Sequence, residues 1–435
     1  MTALTLPAPL VRAVSDLAGI VTRLEECLAD TDEPALVRVS CELAATAETV
    51  GAELGGSAAA AGSGFDRGDA AARAVGEALE RYSACLVPAG RLVVSSARRL
   101  GPAALTPGEL ACFSAAQYRE PGFPYAPLSL DSVIPWVDGV DLVTGRPAWA
   151  PAELVYLGRV EPGPRGPIGY ATSSGLACAV AAGEARERAL LELLERDAFV
   201  LAWRTRRALP HLDWRRDPRL RSLDERCFRR TGLVYHALDL SAEHDIPTVL
   251  GVCLGPAGSI AALGIGAAAG PTLADAWWRA LAEAFAARTA CRKLELADPG
   301  RRYADDGGDV HTFDDHIRFY ASHDRAARAA FLWSGDEKRD PRLVPDLPRD
   351  PDERLEGLVE RARRAGSRVV AVDVTAPDVA ALGLHVSRVL APGLCALDAR
   401  HTARFLGSAR LSGRDISTGL THAPDDLNHD PHPFP

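Results

Sequence analysis

Two helix-length segments of this chain carry the same signature, Glu77-Ala-Leu-Glu80-Arg81 and Glu192-Leu-Leu-Glu195-Arg196. At about 100° per residue the two glutamates of each signature lie about 60° apart, so each helix presents two carboxylates and a guanidinium on one face. On the second helix Glu184 falls about 80° and 20° from Glu192 and Glu195, so three carboxylates converge there. A single ExxER reads as a solvated helix face, where Arg four residues after Glu contributes a few tenths of a kcal/mol. Here Ala78, Leu79 and Tyr82 flank one signature and Leu190, Leu191, Leu193 and Leu194 the other. Helices apolar nearly all round are buried, and buried carboxylates need cations. Any fold of this chain must therefore bring the two helices together around positive charge.

Four oxygen-only ligand groups, Glu77, Glu80, Glu192 and Glu195, suit hard Mg2+, which commonly takes further ligands from nucleotide phosphates. A di-iron bundle would need ExxH where these helices have Glu followed by Arg. The chain has no GxxxxGK[ST], no HExxH and no kinase-like motif set, and GSGFDRG is one residue off the dinucleotide spacing.

The pattern along the chain predicts an α+β fold, with long helices packed on mixed or antiparallel sheet and the carboxylate site between helices. Helix-period apolar positions at Leu10, Val14, Leu17, Val21 and Leu24 predict one or two helices over 11–54. They define an N-terminal helical segment, 1–59, before the remainder of the chain, 60–435. From Ser57 a loop of small residues feeds a helix over 70–86, and 91–160 reads as strands joined by Pro- and Gly-rich turns. Helices follow over 176–205 and 273–294. Between them, 247–274 has no charged residue. It is long enough to cross a membrane, but six glycines with Pro256 and Pro271 make it a buried hairpin of two strands. The charged, Pro-rich stretch 334–354 reads as an exposed loop, followed by helix, turn and strand to 374. The chain ends LNHDPHPFP, where Pro431, Pro433 and Pro435 impose an extended tail.

A net charge of −9 excludes a general nucleic-acid binder. Nine cysteines, odd in number and never spaced CxxC, read as reduced thiols and argue against a disulfide framework or a zinc knuckle. Pro7, Pro9, Arg12 and Asp16 break any apolar export signal, so a cytoplasmic protein without membrane association is expected. His311, His316 and His323, with Asp314 and Asp315 nearby, have no metal-helix spacing and read as surface or capping residues.

The residues around the glutamates resemble the YcaO superfamily of ATP-dependent peptide-backbone-modifying enzymes. Gly62 to Ser83 (GSGFDRGDAAARAVGEALERYS) is similar to the family's glycine loop and the helix that follows it. Thr172 to Phe199 (TSSGLACAVAAGEARERALLELLERDAF) is similar to its second block, and Arg279 to Ala290 to its third helix, with a Glu and a downstream Arg. HTFDDHIRFYA and VLAPGLCAL extend the likeness over roughly 60–435. The resemblance implies that Glu77, Glu80, Glu192 and Glu195 hold magnesium. It implies ATP bound by Glu184, Arg81, Arg196 and Arg288, with Gly62, Gly64 and Ser174 at the nucleotide. The chain departs from the family's usual residues at Ser63 (often Lys), Arg73 (Ser), and Ser174 and Val180 (Asn).

The tail resembles the PxPxP ending of the azoline-forming members, which implies a catalytic role for the terminal carboxylate of Pro435 as proton acceptor or orienting group. The activity implied is cyclodehydration of Cys, Ser or Thr in a ribosomal precursor peptide to thiazoline or oxazoline, by phosphorylation of the amide oxygen. Thioamide- or amidine-forming chemistry, or a catalytically weak scaffold that binds peptide or partner, is the alternative. The partners expected are the precursor peptide, a separate E1-like (ThiF-like) peptide-binding protein, a flavin-dependent azoline dehydrogenase, and a second copy in a homodimer.

Overall fold

The computed structural model describes residues 6–44, 59–110, 112–412 and 426–435. Strands β1 (Val21–Cys27), β2 (Val37–Leu43) and β3 (Ala59–Gly64) precede helix α1 (Arg67–Cys85). Strands β4 (Val93–Ser95), β5 (Ile134–Asp141), β6 (Pro147–Pro151) and β7 (Leu176–Ala179) lead to α2 (Ala182–Arg204). Next come β8 (His211–Leu212), β9 (Val234–Asp239), β10 (Thr248–Leu254) and β11 (Leu263–Ala269), then α3 (Leu273–Ala297) and α4 (Phe313–Phe319). Strand β12 (Lys338–Arg339), helix α5 (Pro351–Arg364), β13 (Val370–Asp373) and β14 (His385–Leu390) complete the regular structure that concerns us.

The chain divides into two compact units, Met1–Leu28, Leu36–Leu193 and Asp350–Leu394 in the first, and Ala29–Ala35, Leu194–Arg349 and Cys395–Pro435 in the second. Helix α2 passes from one to the other after Leu193.

The first unit holds two antiparallel sheets, β1-β2-β3 and β4-β5-β13-β14-β7, with β6 paired to the other side of β5. Its core includes Val75, Leu79, Trp136, Val372 and Val386, all fully buried. Asp66 caps α1 by accepting the Asp69 amide at 2.9 Å. Glycine is required at position 62 because β3 lies directly on α1: a Cβ there would sit 2.2 Å from the Ala70 carbonyl oxygen.

In the second unit the sheet runs β11-β10-β9-β8-β12, antiparallel except for the short β8–β12 pair. Helix α3, capped by Thr272 at the Asp275 amide, lies on β10 and β11. The small residues of the uncharged hairpin allow that approach: at Gly264 a Cβ would come 2.2 Å from the Ala284 carbonyl oxygen. Trp203, Leu250, Ile265, Phe319 and Phe434 are fully buried in its core.

The α+β class, the three long helices and the 247–274 hairpin agree with the sequence reading, except that the second helix begins at Ala182 and 176–179, read as its start, form strand β7 paired with β14. The N-terminal segment does not. Residues 21–27 and 37–43 are strands, and Leu17, one of the supposed helical core positions, is 92% exposed. Val39, Cys41 and Leu43 bury every second residue, a period of two that the helix-spaced count passed over. Strand β2 of this segment pairs with β3 within the first unit. The loop of small residues is a strand from Ala59 onward; 51–58 lie outside the described residues. The 334–354 stretch contains β12 and the start of α5. His316 is not a surface residue, being 0% exposed.

All nine cysteines are free, and seven of them are buried. No helix among the described residues is long and apolar enough to cross a membrane.

Candidate active site

In the first unit the glutamates of α1 and α2 are held by backbone amides of the strands beside them. Glu77 accepts the Ala61 amide of β3 at 3.1 Å and the Arg81 guanidinium at 2.6 Å. Glu80 accepts the Cys178 amide of β7 at 2.9 Å, and Glu192 the Gly175 amide at 3.1 Å. An amide that donates to a carboxylate fixes its rotamer and favours its charged form. For Glu80 this is outweighed. Burial, reinforced by the neighbouring Glu77 and Glu192 carboxylates, pushes its pKa up to about 8, although the Cys178 amide and Arg81 oppose the shift. Glu184 lies in the first turn of α2, where Arg188 pairs with it at 2.5 Å, and with Glu80 it raises the buried Cys178 thiol to about 12, after burial itself.

One residue here was not singled out from sequence. Arg388 of β14, 4% exposed, donates to the carbonyls of Thr172 at 2.7 Å and Leu154 at 3.0 Å. Burial lowers its pKa to about 10, and the Glu192 carboxylate works in the other direction. It ties down the loop that carries Ser174. Its signal was a lone arginine in the short strand His385–Leu390.

In the second unit Glu195, 5% exposed, pairs with Arg196 and accepts the Ala269 amide at 2.6 Å. Glu283 of α3 accepts the Ala267 amide at 2.8 Å. Strand β11 is the edge of its sheet, so the amides of alternate residues 267 and 269 point away from β10 and are available to carboxylates. Burial raises Glu283 to about 7, with Arg196 opposing and Glu195 adding to the shift. Glu283 is a second group that sequence reasoning missed: it stands in the quoted third-helix block, but the arginine drew the attention.

That arginine, Arg288, is committed elsewhere. It pairs with Asp32 at 2.8 Å, is joined there by Arg292, and is followed by Thr289, which bonds Glu33. The arginine of α3 that influences Glu283 is Arg279. Gly62 and Gly64 have a packing role visible in the structure, pressed against the first turns of α1, and Arg73 pairs with Asp69 at 3.1 Å. The structure thus gathers Glu77, Glu80, Glu192, Glu184 and Arg81 in one unit, and Glu195 and Arg196 in the other beside the unforeseen Glu283. Pro435 ends the tail of the second unit, after the fully buried Phe434.

The donor set fits a hard divalent cation. The Glu80 carboxyl, raised to about 8 by burial with Glu77 and Glu192 adding to the shift, is a group whose charged form a bound cation would stabilise. Among the described residues, the cluster whose ligand atoms all lie within 4.8 Å of one another is elsewhere, at His316, Asp398 and His432.

Residues 61–395 match the family model described as YcaO cyclodehydratase, ATP- and Mg2+-binding. Among solved structures, the chain is similar to a heterocyclase in complex with substrate and cofactor, at 22% identity and TM-score 0.77 over 97% of this chain and 56% of that one. It is similar to the heterocyclase TruD at 24% identity and TM-score 0.65, over 83% and 50%. The YcaO of Methanopyrus kandleri bound with AMPPCP and Mg2+ matches at 19% identity and TM-score 0.56, over 93% and 90%. The chain therefore spans about half the length of the two heterocyclases. No curated protein matches it by sequence. With a family model covering most of its length, the chain belongs to the YcaO cyclodehydratase family, whose members bind ATP and magnesium.

Proposed function

We propose that this protein is an ATP-dependent cyclodehydratase that converts Cys, Ser or Thr of a ribosomal precursor peptide to thiazoline or oxazoline. The observation that carries the reading is the set of carboxylates Glu77, Glu80 and Glu192, fixed by the amides of Ala61, Cys178 and Gly175, inside a YcaO family member. Glu77, Glu80, Glu192 and Glu195 would hold magnesium, with Glu184, Arg81, Arg196, Ser174, Gly62 and Gly64 toward ATP. Arg288 would join them only by leaving Asp32. When bound, MgATP supplies the phosphoryl group that makes the amide oxygen a leaving group.

In the reaction the Cys, Ser or Thr side chain attacks the preceding carbonyl carbon and gives up its proton. The oxygen formed accepts the phosphoryl group, and phosphate departs as the amide nitrogen loses its proton and forms the C=N bond. The Pro435 carboxylate accepts or orients one of these protons, and the guanidinium groups of Arg81 and Arg196 offset charge on the transferring group. The PxPxP ending favours azoline over thioamide or amidine chemistry. A separate E1-like protein would deliver the peptide, a flavin-dependent dehydrogenase would finish the azole, and the compartment would be the cytoplasm.

The test is MgATP turnover with precursor peptide, with and without the partner, read with peptide mass. Loss of water with ATP consumption supports the reading, exchange of oxygen for sulfur would move it to thioamide formation, and an unchanged peptide with no turnover would leave only a binding scaffold.

A further inference from the structure

A polyproline tail can be held by its backbone in only one way. Pro431, Pro433 and Pro435 have no N–H, so capture must go largely through carbonyl oxygens, and the protein must supply the donors. The second unit supplies them in series. Arg204 donates to the Asn428 carbonyl at 3.0 Å and Trp203 to that of Asp430 at 3.3 Å. Tyr320 donates its hydroxyl to the Pro431 carbonyl and His316 its Nδ1–H to that of His432 at 2.8 Å. Beyond these, Phe434 is fully buried with its ring 4.8 Å from Phe199 and the Arg196 guanidinium 4.3 Å above it.

The hydrogen bonds assign the tautomers of the two buried imidazoles. His316 must carry its proton on Nδ1 to reach a carbonyl. His432 donates from Nε2 to the Asp398 carbonyl at 2.6 Å, which leaves Nδ1 to accept the Phe434 amide at 3.2 Å. The rings stack 3.8 Å apart and 7° from parallel, and burial lowers the pKa of both below the usual histidine value. Donor type alone would make His316, Asp398 and His432 a metal triad. Parallel rings, however, direct their lone pairs in parallel planes that meet at no common point, and both nitrogens of His432 are already bonded. The cluster is a seat for the chain end.

We propose that His316 and Tyr320 are positioning residues that set the register of the C-terminal segment, so that Pro435 has a single address. The functional meaning of that address rests on the catalytic reading of the tail, but the positioning does not.

The experiment is hydrogen exchange of the C-terminal peptide 426–435 in the full-length protein without ligands. His316→Leu and Tyr320→Phe should each raise exchange at the amides of His432 and Phe434 at least tenfold. His316→Asn, whose side-chain N–H can replace Nδ1–H, should restore protection where a purely space-filling role would predict the reverse, with Leu the better substitute. Tyr320→Phe is nearly isosteric and keeps the test valid if His316→Leu fails to fold. Unchanged exchange in Tyr320→Phe and in folded His316→Leu would overturn the positioning role, as would protection by Leu and not by Asn. Deleting Pro433–Pro435 separately tests the catalytic reading: full dehydration activity after deletion would remove that reading while leaving the exchange result intact.

Discussion

If Glu80 is a magnesium ligand, its raised pKa must appear as a proton released on metal binding. A carboxyl with a pKa of about 8 is about nine-tenths protonated at pH 7 and about one-tenth at pH 9. A metal takes only the ionised form, so binding at pH 7 should release about 0.9 proton and at pH 9 about 0.1. Apparent Mg2+ affinity should rise about tenfold between pH 6 and 7, about fivefold between 7 and 8, and less than about twofold between 8 and 9. The sign for stability follows. The folded-state pKa of this acid lies above its ordinary value of 4.5, so without metal, stability falls as pH rises from there through about 8, and magnesium offsets the loss. Calorimetric Mg2+ titrations in buffers of different ionisation enthalpy measure the proton directly. Glu80→Gln should abolish both the proton release and the pH slope. A magnesium affinity that is flat from pH 6 to 9, with no proton released at pH 7, would refute the assignment of Glu80.

Three further outcomes are expected. Glu195→Gln should lower ATP turnover by about a hundredfold or more, with an unchanged circular dichroism spectrum, because the amide keeps the shape but loses the charge beside Arg196. Arg204→Met strands the Asp398 carboxylate in a pair whose side chains are both 2% exposed, and should cost about 3–5 kcal/mol in urea unfolding. Gly264→Ala should cost about 1–3 kcal/mol in the same measurement, since the neighbour its Cβ meets is the backbone of α3, which cannot swing aside.

The helical glutamates could be read from sequence because a helix has one strong period: spacing alone places Glu77 with Glu80 and Glu192 with Glu195 on shared faces, and apolar neighbours imply burial. The hairpin over 247–274 was as plain, because an uncharged run broken by six glycines has few other uses. Short strands gave a poorer signal. In β1 only Val21 is fully buried, so its sequence carries almost no alternation, and Val21 and Leu24, three residues apart, mimic the spacing of a helix.

What the sequence determined by itself is therefore local: that the three long helices form, which carboxylates share a face, and that the final residues cannot be helical because proline lacks the donor. Only the tertiary structure decided which partner each side chain takes. Arg288 went to Asp32, 256 positions away, and not to the glutamates; His316 went under the chain end and not to solvent; Glu283 came to lie beside Glu195. Local spacing says where a side chain points on its own helix. The choice between a distant carboxylate and a near one depends on which strands pack against that helix and where their unpaired amides fall, and that is settled by contacts far apart in the chain.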